Sequence, residues 1–334
     1  MVRLKTIDAH AAGEPLRLIV DGFPSPRGNT MLEKREWARR HADHLRRALM
    51  LEPRGHADMY GAVLTEATKP GSHAGLLFMH NEGYSTMCGH GIIAVTTIAL
   101  ERGLLMPGGD GTSVVYDSPA GTIRAKATLA GTGTPRRVES VAFLNVPSFV
   151  LQGGLRVRLA SRVVQADVAF GGAFFAIVDS EAVGLPIDAA HLSELRRAGM
   201  EIKRAIEGSH AIVHPLEAKL QGIYGTIFTG PPRSGMADLR NVTIFADAEV
   251  DRSPCGTGTA AVMAVVDAMG LLSGDKPFVH ESLIGTMFTG RVATRTAVGE
   301  TPAIVPELEG AAWITGEHTF IVDERDPLKD GFRL

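Results

Sequence analysis

The chain has 334 residues, 45% hydrophobic and 21% charged, with a net charge of −3, 38 glycines and only two cysteines. That balance excludes wholesale disorder, and the interspersed charges leave no basic surface asking for nucleic acid or an anionic membrane. Two cysteines cannot build a disulfide framework, no CxxC pair marks structural zinc, and no apolar run reaches the ~20 residues that span a bilayer.

The opening MVRLKTIDAH lacks a signal-peptide core, so a cytoplasmic protein is expected. A strand pattern at Ile19-Val20-Asp21 is followed by a charged helical stretch from Lys34 to Leu51, rich in arginine and leucine. Then comes MCGHGIIAVTTIALERGLL around Cys88, a Cys-Gly-x-Gly turn leading into small and branched apolar residues and stopped by Gly103. This pattern predicts a helix start, a buried helix and a C′ glycine. TIRAKATLAG, VESVAFLNV and VRLASRVVQADVAF alternate between Gly and Pro boundaries and predict strands. A second strand pattern at Ile177-Val178-Asp179 precedes a second charged helix, Ala189 to Glu207, and NVTIFADA adds another strand. PCGTGTAAVMAVVDAMGLL around Cys255 repeats the cysteine helix and RVATRTAV the strand pattern, and AAWITGEHTFIVDERDPLKDGFRL closes the chain.

The two cysteine segments align at a constant offset of 167, with eight of 18 positions identical from cysteine to final leucine. Downstream, Asp117 to Ile123 (DSPAGTI) matches Glu281 to Met287 (ESLIGTM) at an offset of 164. Upstream, Gly13 falls on Gly171 at an offset of 158. The order strand, helix, cysteine helix, GT-containing strand thus occurs twice, which indicates a full-domain duplication. We expect two α+β domains of mostly antiparallel curved sheet around a central helix. The first covers 1–125, with 308–334 returning to it, and the second covers 126–307. Both helix N-termini are expected to face one cleft.

A helix N-terminus carries unpaired N–H groups and about half a positive charge. A cysteine there is expected to have its thiolate stabilised and its pKa lowered, while the N–H groups bind a carboxylate. Two such ends can hold one carboxylate between two thiols, one removing a proton from the adjacent carbon and the other delivering one to the opposite face. Neither a metal nor an organic cofactor is formally required.

MCGHG and DRSPCGTGT resemble the two signatures of the proline racemase family. The resemblance runs along the whole chain, through LEPRGHADMYGAVL, FGGAFFAIVD and the DPLKDGF tail. Diaminopimelate epimerase is more distantly similar, with a comparable two-domain fold and paired cysteines. The family implies a cofactor-independent enzyme, often a homodimer, that inverts Cα of proline or hydroxyproline. Carried over residue by residue, Cys88 and Cys255 are the acid–base thiols. The N–H groups of Gly89, His90, Gly256 and Thr257 bind the carboxylate, and Asp251 accepts from the ring ammonium. Without the resemblance, Asp251 reads equally as a turn residue, and His90 as a brace within its loop or a general base.

Within the family the signals divide. Cys255 matches racemases and epimerases, whereas trans-3-hydroxy-L-proline dehydratases usually carry threonine there. Tyr60 and Ser85, in HADMYGA and NEGYSTMCGHG, lean toward the dehydratase-like branch, and Phe245 suits a ring-stacking wall in any member. Stereoinversion at Cα is the expected reaction, with dehydration of a 3-hydroxylated ring the alternative. A cysteine hydrolase paired with His10, His56, His80 or His90 leaves the second cysteine unexplained. GTGTAA lacks the lysine of a phosphate loop, and a non-catalytic amino-acid-binding protein remains a third class.

Overall fold

A computed structural model describes residues 1–109, 111–131, 136–160, 162–272 and 276–333. It divides into two compact units, Met1–Phe143 with Gly310–Leu334, and Leu144–Glu309. Position 125 falls inside the strand Gly121–Leu129, and the chain leaves the first unit only after Phe143. No helix among the described residues is long and apolar enough to cross a membrane.

In the first unit, Ala312–Val322 pairs antiparallel with Val2–Ala11, which pairs antiparallel with Glu14–Asp21. Tyr60–Thr65 joins Glu14–Asp21 in parallel, and Ala74–His80 joins Tyr60–Thr65 antiparallel. Ser113–Ser118 then pairs in parallel with Ala74–His80 and antiparallel with Gly121–Leu129. In the second unit the same succession runs through Phe149–Arg158, Val163–Phe170, Phe174–Asp179, Ile223–Gly230, Leu239–Phe245, Phe278–Glu281 and Met287–Val298. Each pairing in the second unit has the sense of its counterpart in the first.

The helices are α1 (Met31–His41), α2 (Asp43–Met50), α3 (Gly89–Glu101), α4 (Leu192–Glu207) and α5 (Gly256–Ala268). The stretch read as one helix from 34 to 51 is two, broken at Ala42, which has non-helical backbone. The break aims the buried Arg46 of α2 at the carbonyls of His80 and Asn81, while Asp43 pairs with its guanidinium. The second stretch opens with a short 3-10 turn, Ala189–His191, capped by Asp188.

Every residue of α3 from Gly89 to Leu100 is buried, as is α5 from Gly256 to Val265. Helices apolar on all sides belong inside a domain. Helix α3 packs on Val2–Ala11, Ala312–Val322, Glu14–Asp21 and Gly121–Leu129, and α5 packs on the four equivalent strands of its own unit. Both stop at glycines in left-handed conformation, Gly103 at φ 65° and Gly270 at φ 73°. Alternate residues of Ala74–His80 face opposite ways. Leu77 and Met79 enter the apolar cluster under α1 and α2, while Phe78 lies against Gly91 in the first turn of α3.

The duplication extends to buried carboxylates. Asp117 accepts the backbone N–H groups of Thr68 and Lys69, and Glu281, at the matching strand position, accepts those of Arg233 and Ser234. Each carboxylate ties down the loop between two central strands of its unit.

Candidate active site

Cys88 is the N-cap of α3, with extended backbone at φ −148° and ψ 113°. Its Sγ accepts the Gly91 N–H at 3.2 Å, the place an oxygen takes in an ordinary cap. A Cβ on residue 91 would lie 2.9 Å from that sulfur and 2.5 Å from the Phe78 ring, so only glycine admits both. The His90 Nδ1 lies 3.2 Å from the same sulfur, and the Tyr60 ring meets the His90 ring edge-on with centroids 4.8 Å apart. The Tyr60 hydroxyl lies 2.6 Å from Ser85 Oγ. Strand register produces this grouping, because Tyr60 opposes His80 and Ser85 opposes Phe78. Cys88, His90, Tyr60 and Ser85 therefore form one buried cluster at the start of α3.

In the second unit Cys255 caps α5 with the same sulfur geometry, Sγ accepting the Gly258 N–H at 3.3 Å. A Cβ on residue 258 would lie 2.9 Å from the sulfur. The backbone differs, since Cys255 sits at φ 63° and ψ 107°. Positive φ at a residue with a side chain costs about 1–3 kcal/mol and persists only where neighbours enforce it. Asp251 ends the strand Glu249–Asp251 and accepts both the N–H and the hydroxyl of Ser253, at 2.8 and 2.6 Å. The Ser253 hydroxyl oxygen accepts the Cys255 N–H at 3.1 Å. Asp251 is thus a turn residue linked through Ser253 to the backbone N–H of Cys255. Phe245 ends its strand with its ring stacked on Tyr224 at 5.5 Å.

Burial, and then the negative charge of Asp251, push the Cys255 thiol well above its ordinary range. The Gly258 N–H and the Thr257 hydroxyl pull the other way without offsetting them. The lowered pKa expected from the helix terminus is therefore reversed at Cys255, because desolvation and a neighbouring carboxylate outweigh the end-of-helix field. A thiol so placed holds its proton and is set up to donate it.

Sequence reading placed both cysteines at helix starts, and the structure puts them there. Gly89, His90, Gly256 and Thr257 open the two helices, so their N–H groups have no carbonyl one turn back within the helix. Gly91 and Gly258 were missed as sulfur-binding positions, although both stand at one aligned place in the repeat. Ser253 was missed because its link to Asp251 is a turn contact with no periodic signature.

Comparison with known proteins extends the pattern over the whole chain. The proline racemase family model matches residues 6–333. A trans-3-hydroxy-L-proline dehydratase of Bacillus cereus is 50% identical over 98% of this chain and 97% of its own. A 3-hydroxyproline 2-epimerase of Burkholderia multivorans is 44% identical, with the same coverage of each chain. Among solved structures, a hydroxyproline epimerase from Agrobacterium vitis with bound trans-4-hydroxy-L-proline superposes with a TM-score of 0.91 at 30% identity, covering 100% of this chain and 97% of that one.

Proposed function

The chain belongs to the proline racemase family, and on that premise we propose that Cys88 and Cys255 act as an acid–base pair on the Cα of proline or a hydroxyproline, inverting it without a cofactor. The observation that carries this reading is the same thiol geometry built twice, a sulfur capping a buried helix and accepting the N–H three residues on. A structural cysteine needs no such duplication.

In the proposed reaction the substrate carboxylate takes the N–H groups of Gly89, His90, Gly256 and Thr257, and the ring ammonium pairs with Asp251. Cys88 as thiolate removes the Cα proton, and the electron pair left on Cα delocalises into the carboxylate held by those N–H groups. Cys255 delivers its proton to the opposite face and is left as the thiolate. Binding of the ammonium cancels the charge on Asp251 that disfavours that thiolate, so the substrate itself prepares the reverse direction. Phe245 serves as a wall for the ring. A cytoplasmic homodimer is the setting this reading carries.

Dehydration of trans-3-hydroxy-L-proline is the second reading, and two observations favour it. The Bacillus cereus relative named for that activity is more similar to this chain than the Burkholderia multivorans epimerase. The buried Tyr60–Ser85 hydroxyl pair also offers a ring hydroxyl partners that plain proline leaves unused. The first step is shared. The trans hydroxyl lies on the same ring face as the Cα proton. The C3–O bond therefore breaks with hydroxide leaving as water on the proton Cys88 has just taken, and the unsaturated ring isomerises to the cyclic imine. Set against a relative this similar, the cysteine at 255 does not by itself decide between the two reactions.

The test is a panel of D- and L-proline, cis-4-, trans-4- and trans-3-hydroxyproline, followed by polarimetry and by imine formation. Inversion without imine supports the first reading, and imine from trans-3-hydroxy-L-proline supports the second. No turnover of any member refutes both.

A further inference from the structure

The peptide joining Pro254 to Cys255 is gripped at both ends. Its N–H goes to Ser253, and its carbonyl accepts from Asn241 Nδ2 and from the Thr259 hydroxyl, each at 3.1 Å. Thr259 Oγ1 also lies 2.8 Å from His280 Nδ1. A carbonyl only accepts, so the single hydroxyl proton of Thr259 points to Pro254. His280 must then carry its proton on Nδ1 and donate it to Thr259. Its Nε2 is left as a buried lone pair with no hydrogen-bond partner among the described residues. Burial holds the ring neutral, its pKa pushed down to about 3. A bare buried lone pair is costly, so the favourable polar contact this ring makes is the one at Nδ1.

The first unit lacks this device. The register that pairs Leu239 with His280 pairs Ala74 with Tyr116, and the Tyr116 hydroxyl oxygen accepts from the Thr96 hydroxyl, two turns into α3. Ile92 stands where Thr259 does and Met87 where Pro254 does. The difference follows the backbone, since Cys88 is extended and Cys255 is held at positive φ.

We propose that Thr259 and His280 are positioning residues that hold the Pro254 carbonyl and so keep Cys255 in its strained conformation, with Sγ on the Gly258 N–H. This rests on the reading of Cys255 as a reacting thiol, but its test needs no turnover. The rate of iodoacetamide labelling is followed at each cysteine by peptide mass spectrometry, so that Cys88 is the internal reference. Thr259→Val and His280→Phe should change the Cys255 rate about tenfold or more while Cys88 stays within about twofold, as expected when a reacting group is misplaced. Thr259→Ser and His280→Asn retain the hydroxyl and an N–H donor, and should stay within about threefold of the parent at Cys255. An unchanged Cys255 rate in the valine and phenylalanine variants overturns the proposal, as does an equal change at Cys88. Labelling is independent of substrate, so a protein inactive on every proline still gives a readable result.

Discussion

The hydroxyls of Tyr60 and Ser85 lie 2.6 Å apart in the same buried cluster as Cys88, and Tyr60 reaches Cys88 through the ring of His90. A buried hydroxyl pair is satisfied in the free protein and can reorient toward a ring hydroxyl. Tyr60→Phe and Ser85→Ala should therefore each lower kcat/KM for trans-3-hydroxy-L-proline by about tenfold, one hydrogen bond's worth, with a smaller change for proline. Steady-state kinetics on both substrates checks this. Equal losses on the two rings would remove these residues from substrate discrimination.

Much of this site is legible from residues alone. The repeated Cys-Gly-x-Gly turn, apolar run and terminal glycine mark α3 and α5 because capping and burial act over a few consecutive positions. The Tyr60–Ser85 contact is not legible, since it depends on the register of strands 25 residues apart. The pKa of Cys255 is misread for a related reason. The helix terminus is a local signal, whereas desolvation depends on everything packed around the sulfur. The break at Ala42 also escapes periodicity, because Arg46 is placed by its reach to His80 and Asn81 on another element.

Gly91 and Gly258 leave room for the sulfurs. Gly91→Ala places a Cβ 2.5 Å from the Phe78 ring and 2.9 Å from Cys88 Sγ, and Gly258→Ala places one 2.9 Å from Cys255 Sγ. Overpacking of this kind costs about 1–3 kcal/mol, and a sulfur moved by a fraction of an ångström should lower kcat by about 100-fold. Thermal melts and kcat on the preferred substrate measure the two effects. A variant with full activity would show that the sulfur position is not critical.

Cys255 also sets an alkaline limit on stability. In the unfolded chain its thiol titrates near the ordinary value of about 8.5, and in the folded protein burial and Asp251 hold it higher. Between those points the folded state binds the extra proton, so this contribution is complete below the unfolded value and is lost as pH rises. Urea unfolding of parent and Cys255→Ala should therefore diverge in slope above pH ~8.5, by up to about 1.4 kcal/mol per pH unit. Asp251→Asn should narrow the window, because it removes the second cause of the shift. Parallel pH dependence in parent and Cys255→Ala would contradict the assignment.

The two-thiol chemistry is tested most directly by proton NMR of Cα exchange in heavy water, with proline, trans-3- and trans-4-hydroxyproline, for the parent, Cys88→Ser and Cys255→Ser. The parent should introduce deuterium at Cα of at least one substrate, and net inversion at Cα should fall about 10³-fold or more in either variant, the loss expected for an acid–base group. One-sided exchange can persist in the variant that keeps the thiol on that face. Net inversion at the parent rate by either serine variant, or no Cα exchange on any of the three substrates, would contradict the account.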